Sequence, residues 1–375
     1  MNSHAQIQVT FHWIYVLIAG AVILLFFFSL IFSQKQRSEE TLRQDLVRMV
    51  ESIFTAASLS EKTKTTVDTN LDQYALTFFC HEGVSEYGLK GGSGSVQDSV
   101  HPLFSPAEVQ ATQLSLWSLP YKLPFKIIDF LFVTSPDIKY VVVGSTPFAE
   151  EFLEETRPDM ATRFRINTLA VSPSQLQAVD PGQNRQVRFI DFVGGNGGVI
   201  QEQALVPEKV RLLDDEVVTA VVFSGKDQVE YYQKKNERWQ RRGKASIISL
   251  GGERDAARYA AIFAQNAELY ECNMQKAFQR LQYLNEIYGG KEITTAIAGG
   301  KLQEILAYYE AHPSPSLRQS CKPYLTALQQ ALQAHQNTAG ACLETPASCL
   351  DLLSSARQIR QDNEQLSFNN CLQLY

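Results

Sequence analysis

Residues 13–33, WIYVLIAGAVILLFFFSLIFS, constrain this chain more than any other stretch, because they contain no charged side chain. A helix needs roughly 20 apolar residues to cross the hydrocarbon core of a bilayer, and this run supplies them without interruption. It predicts one transmembrane anchor with nearly all of the chain's mass on one side. A cleaved signal peptide is the alternative, and it requires a basic leader, an apolar core of roughly 7–15 residues and a small-residue cleavage site. The leader MNSHAQIQVTFH has no Lys or Arg, and the apolar run is too long. Phe11, Trp13 and Tyr15 also cluster at one end of it, as aromatic side chains do at a membrane interface.

Two arguments about orientation conflict. Lys35, Arg37, Arg43 and Arg48 follow the span and no Lys or Arg precedes it, so the positive-inside rule would put the body in the cytoplasm. Against this stand six cysteines, Cys80, Cys272, Cys321, Cys342, Cys349 and Cys371, four of them in the tail. None forms a CxxC pair and no His pair has zinc-like spacing, so an even set points to disulfides in an oxidising compartment. The competing reading is reduced, buried core thiols. Long domains translocate despite flanking charge, so an extracytoplasmic body is expected.

From residue 34 to 58 the helical pattern continues, with Leu42, Leu46, Met49, Val50, Ile53, Phe54 and Ala57 at three- and four-residue spacings. No Pro or Gly interrupts the join with residues 13–33, so one helix of about 45 residues is expected, its lower half packed on the body. Residues 61–135 form a β-rich segment of short β-branched and aromatic runs, YALTFFC, VSEYGLKG, SVHPLF, TQLSLWSLPYKL and KIIDFLFVTS. The GGSGS at 91–95 lacks the Lys and helix of a phosphate loop and predicts a hairpin.

Residues 136–290 alternate between strand and helix patterns and predict an α/β fold with an open Rossmann-like sheet. KYVVVG is a buried strand, and Thr146 and Pro147 then occupy the N-cap and first position of a helix. FRINTLAV and QVRFIDFV are further strands; the GGNGG at 194–198 that follows is not succeeded by a helix start and predicts a hairpin loop. VVTAVVFSG is a near-continuous apolar strand, residues 227–242 are expected to be helical, ASIISL a second buried strand, and residues 253–288 a long helix or helix pair. Residues 291–375 form a Cys-containing helical tail, broken at the HPSPS of 312–316.

In an open α/β sheet, ligands bind at the carboxyl ends of the strands beside helix N-termini. Three turns are placed there by this pattern: Gly144-Ser145-Thr146; Ser224, Gly225, Lys226 and Asp227; and Ser249-Leu250 followed by Gly251, Gly252, Glu253, Arg254 and Asp255. Lys226 and Arg254 would favour an anionic ligand, while Glu253 and Asp255 suit acid/base or metal roles. The plainer reading is structural: tight turns want Gly, and first helical turns want acids.

No reaction is specified. There is no GxSxG elbow, metal cluster or complete cofactor motif, so no catalytic residue, metal or cofactor is assigned. A triad would have to combine His81 or His101 with Ser224 or Cys80, and Cys80 and His81 point to opposite faces of a strand. The net charge of −6 argues against a dedicated nucleic-acid binder. Lys234, Lys235, Arg238, Arg241, Arg242 and Lys244 surround Trp239, and on a helix they would spread over more than one face as a solvated surface. With a cytoplasmic body, that run would become a candidate for anionic lipid headgroups.

The stretches QLSLWSLPYKLPFKIIDFLFVTS and SLGGERDAARYAAIFAQNAELYECNMQKAFQRL, with the anchor FHWIYVLIAGAVILLFF, resemble uncharacterised single-pass membrane proteins of small-genome archaea. The resemblance runs from the anchor to about residue 284. It implies a microbial surface or envelope location and assigns no catalytic or binding residue. The resulting expectation is a single-pass envelope protein whose α/β body is a non-catalytic scaffold or binds a protein partner. The alternative is a sensor for a small anion, nucleotide or sugar, or a hydrolase-like enzyme, working through the three turns.

Overall fold

The computed structural model describes the backbone of residues 3–375 apart from 61–62, 70, 72–73, 93, 111, 160–162, 194–199, 201–204, 226, 291–298 and 345. Side chains are described outside those positions and outside 1–17, 19–20, 30–33, 36–39 and 343–348. Among the described residues, helix α1, Ser3–Leu59, is followed by fourteen strands and six further α-helices, giving a mixed α/β protein. Among the described residues, no helix is long and apolar enough to cross a membrane. About half of the expected span at 13–33 lies outside the described side chains.

The C-terminal part of α1 is built into the body. Val47, Val50, Phe54 and Ala57 are buried at three- and four-residue spacings, and Leu46 and Ile53 pack beside them. Leu42 and Met49, expected on the same stripe, are exposed. Phe54 packs against Phe78 and Tyr87, and Arg43 Nη1 donates to Gly91 O at 2.6 Å. Each buried aliphatic or aromatic side chain contributes on the order of 1.5–3 kcal/mol, so the contact is firm.

Two small sheets follow. In one, β2 (Leu76–His81) and β3 (Val84–Leu89) pair as a hairpin, flanked by β4 (Ser95–Asp98) and β6 (Glu108–Val109). The glycine-rich 91–95 loop joins β3 to β4 as an antiparallel hairpin, as its composition predicts; Ser93 lies outside the described residues. In the other, β7 (Gln113–Lys122) and β8 (Lys126–Thr134) form the central pair, flanked by β1 (Lys64–Asp68) and β5 (Leu103–Phe104). Their apolar faces carry Trp117, Phe130 and Phe132 into the main core.

The third sheet has six strands in the order β10 (Asn167–Val171), β9 (Ile138–Val143), β11 (Gln186–Asp191), β12 (Val218–Phe223), β13 (Gln228–Lys235) and β14 (Arg238–Ser246). Strands β9, β10, β11 and β12 are mutually parallel where they pair. Both faces are covered: Tyr140 and Val142 join the main core, while Val141 and Val143 join a second core on the other side. That is why these strands read as continuous apolar runs. One crossover contains an α-helix, α2 (Pro147–Glu155), between β9 and β10; the link from β10 to β11 holds a 3-10 turn at Pro173–Ala178. As predicted, Thr146 caps α2, its Oγ1 accepting from Ala149 N at 3.1 Å.

The expected helix at 227–242 is instead a β-hairpin, β13 (Gln228–Lys235) and β14 (Arg238–Ser246), antiparallel to β12 and to each other. Asn236 and Glu237 both take positive φ, 49° and 65°, the conformation of a two-residue hairpin turn. Val229, Tyr231 and Trp239 are buried, while the charged side chains alternate with them on the ladder. Period-two burial therefore overrides the helical propensity of the Lys, Arg, Glu and Gln residues. The basic run sits on this hairpin, with Lys234 itself buried and ion-paired to Asp215 at 2.7 Å. ASIISL is correspondingly not a separate strand: β14 ends at Ser246, and Ile247 and Ile248 are buried in extended coil. The open doubly wound sheet is thus replaced by a four-stranded parallel core with an antiparallel hairpin on one edge.

The expected helix pair is α3 (Ala256–Phe263) and α4 (Ala267–Gly289). Beyond it, α5 (Lys301–Ala311), α6 (Pro315–Glu344) and α7 (Leu352–Phe368) form the helical tail. All six cysteines are paired: Cys80–Cys272, Cys321–Cys371 and Cys342–Cys349. The first ties β2 to α4 across 192 positions, a loop whose closure removes about 5 kcal/mol of unfolded-chain entropy. The other two staple the tail.

Candidate functional site

The turns singled out from the sequence do gather at the carboxyl ends of the parallel strands, but with a different local structure. Ser224, Gly225 and Asp227 connect β12 to β13, strand to strand, so no helix N-terminus follows them; Lys226 lies outside the described residues. Gly225 takes φ +78° in this turn, and the Ser224 hydroxyl is buried with no hydrogen-bond partner. Gly144 ends β9 at φ +88°, where an added Cβ would lie 2.5 Å from Val193 Cγ2, so the turn admits only glycine. The GGNGG loop at 194–198 lies outside the described residues.

Among the described residues, aromatic side chains pack together between these turns. Phe148 packs edge-on to Phe192, Phe223 and Tyr259, and Phe192 stacks on Phe223 at 4.9 Å between ring centroids. Two of the three charges of the GGERD loop, Arg254 and Asp255, are engaged. Arg254 Nε bonds Glu155 Oε1 at 2.8 Å, and Arg254 N donates to Glu151 Oε1 at 3.0 Å. Lys64 reaches the other Glu155 oxygen at 3.0 Å, lying over the rings of Trp117 and Phe164. Burial pushes the Glu155 carboxyl up, but these two cations outweigh it and hold it below its usual range.

Asp255 caps α3, its Oδ1 accepting from Ala257 N at 3.2 Å and its Oδ2 from Ser249 Oγ at 2.7 Å. Burial raises its carboxyl above the usual range against those bonds and the nearby Arg258. Gly251, Gly252 and Glu253 are exposed, and Gly251 N donates to Ser249 Oγ at 2.9 Å. This loop clasps α2 to α3, and its polar groups serve the fold.

A second constellation has no local sequence signal. Lys276 Nζ on α4 donates to Ser85 Oγ at 2.7 Å and to His101 O at 3.0 Å, and Ser85 Oγ donates to Asn273 Oδ1 at 2.9 Å. Burial lowers the Lys276 ammonium to about 8, against the attraction of Asp98. Asp98 is itself raised by burial but held at about 2 by bonds from the His101 ring and the His101 and Val100 amides. A serine bonded to a weakened lysine is the pattern of a nucleophile and its base. Ser85 and Lys276 are, however, only 3% and 2% exposed, and neither lines the cleft described next. With the adjacent Cys80–Cys272 bond, the network fastens the β2–β3 hairpin to α4. Cys80 is oxidised and His81 is exposed beside Glu82, so the triads weighed from the sequence are not assembled.

An open region lies at the opposite end of the sheet. A cleft of about 920 Å³ is lined by the amino ends of β9, β11 and β12 (Ile138, Gln186, Thr219), by Thr77 and Phe79 of β2, and by Leu212. Its size is that of a small-molecule site. Leu212 is 88% exposed and Phe79 63% exposed, so its rim presents apolar as well as charged groups.

Arg188 forms part of its wall. The side chain is 2% exposed, and its donors end on Ile262 O, Gln265 O, Ala261 O and Ala264 O and on Thr219 Oγ1. These carbonyls belong to the C-terminus of α3 and the turn after it, the negative end of a helix dipole, which is what permits a buried guanidinium without a carboxylate. Burial still pushes its pKa down.

Among the described residues, no group of three or more His, Cys, Asp or Glu side chains is placed to hold a metal. Comparison with protein-family models, curated proteins and solved structures finds no match. The fold itself defines the class: a disulfide-linked mixed α/β protein.

Proposed function

We propose that the chain is a membrane-anchored envelope protein whose body, on the extracytoplasmic side, is a non-catalytic module for binding a partner. The observation that carries this reading is α1. It includes the uncharged stretch 13–33, and Val22, Ile23, Leu24, Leu25, Phe26, Phe27 and Phe28 are each more than half exposed along it. Seven consecutive helical positions face every direction, so no fold within one copy of this chain would cover them; a bilayer would. The same helix then enters the body at Arg43, whose bond to Gly91 lies about 15 Å beyond residue 33 along the axis. A body gripped at that point stands close to the membrane at a set height. Three disulfides and no free cysteine support the oxidising side.

The ligand-sensor alternative moves from the three turns to the amino-end cleft, whose volume favours it. The anchor reading is tested by alkaline carbonate extraction of native membranes and by protease added to intact cells. Retention in the pellet with digestion of the body supports it. Release into the supernatant, or a body protected until the cells are lysed, overturns it.

A further inference from the structure

We infer that the cleft at the amino ends of β9, β11 and β12 is a binding site for a small polyanion, a ligand bearing two or more carboxylate or phosphate groups. This deepens the ligand-sensor reading of that cleft and rests on it only for the claim that the body binds something. Charge is the first observation. The chain carries −6 overall, yet the cleft gathers six cations, Lys90, Arg185, Arg188, Lys234, Lys235 and Arg242, against four anions, Glu108, Asp214, Asp215 and Glu216. Concentrating an excess of two positive charges in a concave site of an acidic protein is costly unless an anion is to be attracted there.

The pairing pattern sharpens this. Lys90 is neutralised by Glu108 at 2.7 Å and Lys234 by Asp215 at 2.7 Å. Arg242 Nε is held by the neutral Gln233 Oε1 at 2.9 Å, and Arg185 and Lys235 are exposed and form no ion pair among the described residues. Arg185 enters from the start of β11, while Lys235 and Arg242 come from the β13–β14 hairpin, so the available cations stand on separate walls. A ligand with two separated anionic groups would bridge them where a monoanion would not.

Arg188 supplies the third element. Its donors are already engaged by carbonyls, so it cannot grip a ligand directly, but its charge is fixed behind the cleft in a poorly solvated wall. A buried charge is screened little by salt and water, so it biases the cleft toward anions without moving. Asp214 and Glu216 act against binding, and their removal therefore has a predicted sign.

The test uses the full chain in detergent micelles and calorimetric titration with fructose 1,6-bisphosphate, with citrate, and with acetate as a monoanion control. Both polyanions are expected to bind and acetate not to. Arg185→Glu combined with Lys235→Glu should weaken binding at least about 10-fold, since each change reverses a charge facing the ligand. Asp214→Asn combined with Glu216→Gln should strengthen it. The reversed residues are exposed, so melting temperatures report whether the variants remain folded. Absence of binding by both polyanions, equal binding of acetate, or unchanged affinity in the folded charge-reversed variant overturns the proposal. None of these results bears on carbonate extraction, so failure of the cleft and failure of the anchor are separable. If the bisphosphate binds and citrate does not, the ligand class narrows to phosphates; the reverse narrows it to carboxylates.

Discussion

The two ends of the six-stranded sheet differ in what occupies them. At the carboxyl ends of the parallel strands, among the described residues, Phe148, Phe192 and Phe223 pack together, and Arg254 and Lys64 both pair with Glu155 of α2. At the amino ends a cleft of about 920 Å³ stays open between this sheet and the β2–β3 hairpin. The usual preference for the carboxyl end has a cause: each strand is followed by a helix whose N-terminal amides point at the ligand. Here, among the described residues, only β9 is followed directly by an α-helix, while β12 turns straight into β13. Where a strand turns straight into another strand, as β12 does, its carboxyl end lacks that dipole, and Phe223 there packs against Phe148 and Phe192. A fold-level rule transfers only as far as the local structure that produces it.

That contrast can be broken by mutation, beginning with the largest effect. Phe223→Ala removes a buried ring from the carboxyl-end cluster and should cost about 3–4 kcal/mol in denaturant unfolding, with no effect on polyanion binding. A loss under about 1 kcal/mol would mean that this end is loosely packed. At the other end, Arg188→Met leaves the α3 C-terminal carbonyls without donors and should cost about 3 kcal/mol, together with weaker polyanion binding. A stable variant with full affinity would remove Arg188 from the cleft's electrostatics.

Glu155→Gln should cost about 1 kcal/mol near neutral pH, because two cations share that carboxylate. Its sign with pH follows from a carboxyl held below its ordinary 4.5. The stabilisation is fully present above pH 4.5 and is lost as pH falls through the lower folded value, so the wild type should weaken there and the Gln variant should weaken less. Parallel pH profiles for the two proteins would contradict the assignment. Smallest of all, Arg185→Ala should change stability by no more than about 0.5 kcal/mol, since the side chain is exposed. A larger loss would show that the rim holds the fold together.

Much of this architecture is legible before any coordinates are known. The strands at 76–89, 113–134, 138–143 and 186–191 announce themselves through β-branched and aromatic runs, and Thr146-Pro147 marks the start of α2. The disulfides follow from an even, non-metal cysteine set, although a partner 192 positions away cannot be read from spacing. The hairpin at 228–246 hides because its Lys, Arg, Glu and Gln residues favour helix singly, and because Asn236-Glu237 is a less familiar turn than Asn-Gly. The cleft is illegible for a different reason. Thr77, Arg185, Leu212 and Lys235 meet only through strand order, which no local pattern encodes. Ser85 and Lys276 illustrate the converse, a chemical-looking pair whose burial is visible only in the fold.

Backbone hydrogen exchange of the full chain, with and without saturating fructose 1,6-bisphosphate, compares the two ends in a single measurement. Ligand in the amino-end cleft slows exchange at residues 185–187 and 212–217 and leaves 144–146 and 249–255 unchanged. Protection at the carboxyl-end turns, with none at the amino ends, would contradict the assignment of the open end as the binding face.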